Sequence, residues 1–248
     1  GSFYVVAFFR FVLVMIGVLS SSVVNLIFLP PKFETKIYYN SMNISSDIFV
    51  WFKLVLNDTS EFHNIKQDGD QLNSRINKLE KIFDYYNEER PLTKKHIYQQ
   101  NRKKILFREV VRTTRQAYEV LKRMSRYQND LYQLNNQLLL QIKLELDSLV
   151  TLHEQIFKSL SKKARYDVTQ LDYEVDNPQK KNLMDAFQQE LIKNPHQTQY
   201  SYSNMMQIIA EIEEYRYQLE HLDRIRLSFF TYHRSDTDID ISDEDFDL

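Results

Sequence analysis

Phe11–Leu29 reads FVLVMIGVLSSSVVNLIFL, about nineteen residues without a formal charge. A helix of that length just crosses the hydrocarbon core of a bilayer. Pro30 and Pro31 follow at once, then Lys32. Proline fits the first turn of a helix and disrupts its interior, so this order predicts a membrane exit at 29–31 and a new helix from about Pro31. A secretory signal would carry a basic n-region, a shorter apolar core and a small-residue cleavage site; none of these flanks the run. Residues 1–30 are therefore read as a transmembrane helix in the cell membrane. Lys32 and Lys36 place the domain that follows on the cytoplasmic side, with Arg10 as a partial counterweight.

The span is not uniform. Arg10, Val14, Gly17, Ser21 and Asn25 are spaced +4, +3, +4, +4, which puts them on one helical face. In lipid, small and polar residues mark contacts between helices, where backbones approach and hydrogen bonds find partners. Gly17 and Ser21 are thus expected to pack against another membrane helix. Arg10 and Asn25 are expected to face a polar interior, where they would line a substrate pathway. The competing reading is a lone anchor whose Arg10 snorkels to the headgroups.

Downstream, apolar residues recur at helical spacing. Phe33, Ile37, Ile44, Ile48, Trp51 and Val55 mark a helix over about 31–56, and Leu72, Ile76, Leu79, Phe83 and Tyr86 one over about 60–88, closed by Arg90-Pro91. Phe107, Val110, Thr114, Ala117, Leu121 and Met124 mark a third over about 92–128. A fourth, about 131–164, runs from Leu131 through Leu152 and Ile156 to Leu160. Only Asn129-Asp130 and Asn135-Asn136 hint that these two are not one rod. After a polar stretch, 162–177, a short helix is bounded by Asn177-Pro178 and Asn194-Pro195. A last helix over about 202–231 uses Met205, Ile208, Ile212, Tyr215, Leu219, Leu222, Ile225 and Phe229. With glycine only at positions 1, 17 and 69, β-turns and phosphate loops lack their usual residue. The fold expected is all-α: one transmembrane helix, then an elongated antiparallel helical bundle of coiled-coil character over 31–234.

Charge is unevenly spread. Residues 235–248, SDTDIDISDEDFDL, hold seven acids and no base, and such a tail is expected to be disordered. Residues 94–126 hold eleven Lys or Arg against two Glu. The basic set Arg102, Lys103, Lys104, Arg108, Arg112, Arg115, Lys122, Arg123 and Arg126 suits anionic lipid at an inner leaflet or an acidic partner, the tail itself included. A solvated outer face paired by neighbouring charges is the plainer reading. Nucleic acid is not expected, because the aromatics lie in core stripes rather than among these bases.

No catalytic constellation stands out. The absence of cysteine removes disulfides and thiolate chemistry. His153-Glu154 opens like a zinc-protease helix, but position 157 is Phe, so the second ligand is missing; His153 is expected to be half-buried on its helix. No Glu precedes a His by three residues, and no G-x-S-x-G elbow exists. The chain is read as a non-enzyme with no cofactor and no metal site.

The run Arg10-Phe11 … Ile16-Gly17-Val18 … Val24-Asn25-Leu26 … Leu29-Pro30-Pro31-Lys32-Phe33-Glu34 resembles the last membrane helix and exit of the aromatic acid exporter family, fusaric acid resistance-like membrane proteins of Gram-positive bacteria. Leu106-Phe107-Arg108 and Tyr118-Glu119-Val120-Leu121-Lys122-Arg123 are similar to its cytoplasmic C-terminal region, so the likeness covers most of 10–165. It implies several further membrane helices upstream, a homo-oligomer held by membrane and coiled-coil helices, and efflux as the activity, with the helical domain in assembly or regulation. The alternative is a single-pass anchored scaffold whose bundle binds partners.

Overall fold

The computed structural model describes residues 2–28, 33–57, 62–89, 94–160, 183–193, 200–232 and Ile241. Among them the chain forms eight α-helices and no strand. The Pro30-Pro31 exit, Arg90-Pro91, the stretch 162–177, Asn177-Pro178 and Asn194-Pro195 lie outside the described residues, as does the acidic tail apart from Ile241. The chain divides into two compact units, Gly1–Phe33 and Glu34–Leu248.

The first unit is a single helix, α1 (Ser2–Phe28). It is the one helix among the described residues that is long and apolar enough to cross a membrane, with Tyr4–Ser21 at a mean hydropathy of 2.1 and 0% of that window buried. The helix starts upstream of the charge-free run, because Phe3–Phe9 is also apolar. Arg10 therefore sits inside the apolar stretch and not at its edge.

The second unit contains α2 (Phe33–Leu56, joined to α1's unit through Phe33), α3 (Phe62–Glu88), α4 (Lys94–Arg126), α5 (Gln128–Tyr132), α6 (Asn136–Leu160), α7 (Leu183–Lys193) and α8 (Tyr202–Tyr232). Polar ties between helices give their directions. Glu34 meets Tyr86 and Asp47 meets Arg75, so α2 and α3 are antiparallel. Gly69 meets Tyr118, Glu80 meets Arg115, and Asn87 meets Lys104, so α3 and α4 are antiparallel. Glu109 meets Gln218 and Arg123 meets Gln207, which runs α8 against α4. Asn57, just past the end of α2, meets Lys143 and Tyr38 meets Phe157, which runs α6 against α2.

The rod reading of the third and fourth helices fails at 127–135, where the chain turns back. Asn135 causes the reversal: its side-chain oxygen accepts the Leu138 backbone N–H at 2.7 Å, as an N-cap does. The short α5 sits in this corner and Asp130 on it grips the start of α8, accepting from Ser201 N at 2.8 Å and from Asn204 Nδ2 at 2.7 Å.

The core follows the stripes with small shifts. On α2, Phe52 is buried and Trp51 only half so. On α4, Leu106, Phe107, Val110, Val111, Ala117, Tyr118, Val120, Leu121 and Met124 are all buried, a band too wide for one partner helix. Thr113 and Thr114 lie within it and return their hydroxyls to the carbonyls four residues back, which removes the cost of burying them. Truncating one of the buried Leu, Phe or Met side chains to Ala costs about 2–5 kcal/mol.

Candidate functional surfaces

Of the membrane-face residues, Arg10, Gly17 and Ser21 are exposed on α1. A Cβ added at Gly17 would meet nothing within 4 Å, so the open space that a glycine provides is unused within this chain. Asn25 falls on α1, with its side chain outside the described residues.

The basic set on α4 divides in two. One half is spent inside the bundle. Arg115 makes a fork to Glu80 (Nε to Oε1 2.9 Å, Nη2 to Oε2 2.7 Å) and also donates to Asn73 and Asn77 at 3.2 and 2.8 Å. The hydrogen bonds to Glu80 hold the Arg115 guanidinium above its ordinary range. Arg123 pairs with Glu211 at 3.0 Å and donates to Gln207 at 2.9 Å. Lys103 pairs with Glu34 at 3.2 Å, and Tyr86 donates to the same carboxylate at 2.9 Å. Lys104 is buried and donates at 2.7 Å to the carbonyls of Asn87 and Glu89, closing the C-terminus of α3. Burial lowers the pKa of Lys104 and raises that of Tyr86.

The other half points outward. Arg108, Arg112, Lys122 and Arg126 are exposed, Lys122 beside Glu119 and Arg112 beside the buried Glu109. Arg102 is half-buried, its guanidinium carbon 5.5 Å from the centre of the Tyr98 ring. Replacing Arg115 by Met should lower stability by about 1–2 kcal/mol, since a charged fork is lost at a site only partly closed to water. Urea unfolding of the full chain measures it, and a change near zero would mean that water already screens the fork.

Two buried polar centres complete the map. His153 is 1% exposed, not half-buried, and its Nδ1 lies 2.7 Å from the Tyr215 hydroxyl. Its ring stands between Phe49 and Phe157, at centroid distances of 5.1 and 4.4 Å. Burial alone pushes its pKa down to about 3, so the imidazole is neutral. Arg226 is 0% exposed, and its Nε donates to Asp223 Oδ1 at 2.7 Å. Among the described residues no group of three or more His, Cys, Asp or Glu is arranged to hold a metal ion.

No protein-family model matches the chain, and no solved structure matches it. The chain is similar to a protein of Bacillus subtilis (strain 168), the UPF0421 protein YgaE, with which it shares 34% identity over 240 residues. The match covers 96% of this chain and 66% of that protein, just under two thirds of the relative's length. The two are homologues along nearly all of this chain.

Proposed function

We propose that this chain forms the last membrane helix and cytoplasmic helical domain of an aromatic acid exporter-like efflux protein. The helical domain assembles protomers into a homo-oligomer or regulates the pore, and does no chemistry. The carrying observation is α1: an apolar helix that buries none of its 18-residue window within this chain, with Arg10 inside the window. A lone Arg in mid-span costs about 2.5–3.5 kcal/mol on insertion scales. A neighbouring bundle with a polar interior offsets that cost, and an anionic substrate gives the charge a use. The likeness to aromatic acid exporters and the greater length of YgaE fit a larger membrane domain.

The test is efflux of aromatic acids by the full-length protein, compared with Arg10→Ala and Arg10→Lys. Arg10→Ala should lower transport by about tenfold or more, the worth of one charge-assisted contact, and Arg10→Lys by less. Unchanged transport in Arg10→Ala would remove Arg10 from the pathway. A full-length protein that exports no aromatic acid would leave the anchored scaffold, for which the exposed Leu140 (55%) and Leu144 (61%) on α6 offer a partner surface.

A further inference from the structure

We propose that the acidic C-terminal segment 235–248 folds back onto the groove between α4 and α8, docking in cis. The groove has a volume of about 330 Å³ and is lined by Arg102, Ile105, His221, Arg224, Ile225 and Phe229, with Ser228 at its edge. Its floor is apolar and its rim cationic. Arg102 Nη1 is buried with no hydrogen-bond partner. Arg224 is exposed and has no ion pair among the described residues. Glu109, 4.0 Å from His221, is already held by Arg112 and Gln218. A guanidinium nitrogen out of water without an acceptor is costly, and the segment supplies seven carboxylates.

Two further observations favour this occupant. The segment alternates Asp238, Ile239, Asp240 and Ile241, a period-2 pattern that puts both isoleucines on one side of an extended chain. The groove lies along 221–229, just before α8 ends at Tyr232. A tether of so few residues gives an effective concentration of order mM, so a site with a Kd of about 1 mM is already half filled. The inference does not depend on transport.

Because these 248 residues hold no cysteine, a disulfide trap within them is clean. In the full chain in detergent, Ser228→Cys with Ser242→Cys should oxidise to an intramolecular disulfide about tenfold faster than Ser148→Cys, on the exposed side of α6, with Ser242→Cys. Arg102→Glu with Arg224→Glu should erase most of that advantage. So should raising salt from about 0.15 M to about 1 M, which shortens the Debye length from about 8 Å to about 3 Å. Circular dichroism confirms that each variant stays helical. Equal rates for the two cysteine pairs would overturn the proposal. So would a disulfide that forms only between two copies and fades on dilution. A trap that works in detergent but is lost in phosphatidylglycerol vesicles, and not in phosphatidylcholine ones, would assign the groove to lipid headgroups instead.

Discussion

Acidifying the chain from about pH 8 to about pH 4.5 should cost its helical bundle about 3 kcal/mol through His153 alone. The folded ring titrates near 3 because it is wholly buried, whereas the unfolded ring titrates near 6.5. Between those values the unfolded state binds the extra proton. Stability is therefore complete above about 6.5 and falls by about 1.4 kcal/mol per unit as the pH drops toward 3. His153→Gln isolates the effect: its amide oxygen can still accept from the Tyr215 hydroxyl, and it does not titrate. Urea unfolding followed by circular dichroism should show the parent losing about 3 kcal/mol more than the variant over this range. Parallel curves would mean that water or a counter-charge reaches the ring.

The second large effect is expected at the α8 pair. Asp223→Ala should destabilise the chain by about 3–5 kcal/mol, because it strands the Arg226 charge in a site with 0% exposure. Arg226→Met alone should cost a similar amount by stranding Asp223. The double change Asp223→Leu with Arg226→Met should recover most of the loss, since removing both charges avoids their desolvation. If each single change cost under about 1 kcal/mol, water must enter this part of the core. If the double variant were as weak as the singles, the pair would be filling a shape that apolar side chains cannot.

The extent of the last helix was legible from apolar spacing, expected over 202–231 and spanning Tyr202–Tyr232, whereas the fourth was expected from 131 and starts at Asn136, after the separate α5. What spacing misplaced is instructive. On α8 the steps 205, 208, 212, 215, 219, 222 alternate +3 and +4, and the next +4 lands on Arg226. Choosing Ile225 for its apolar side chain left the register. The same happened on α6, where Leu152 was favoured over His153, which the buried Leu149 and Ile156 flank at +4 and +3. Trust in the register over residue type would have found both buried polar centres. The division of the α4 bases was not legible, because which cation meets a carboxylate depends on how far neighbouring helices slide. Glu80 and Glu211 lie 35 and 88 residues from Arg115 and Arg123. The mid-span place of Arg10 was legible in Phe3–Phe9 but was hidden by starting the span at the first charge-free residue.

Since α6 runs against α2 and α8 against α4, and α2 and α4 both run against α3, α6 and α8 point the same way. The polypeptide leaving α6 must then travel back along the bundle before α8 can start. Between the two helices in sequence lies α7, with its fully buried Phe187. Asp130 fixes where the return finishes, so the alignment of α8 is set at the α5 corner and not by the length of this crossover. Doubling such a crossover costs only about 0.6 kcal/mol in closure entropy. Evolution is free to lengthen or shorten it on either side of α7 while the five long helices keep their mutual register.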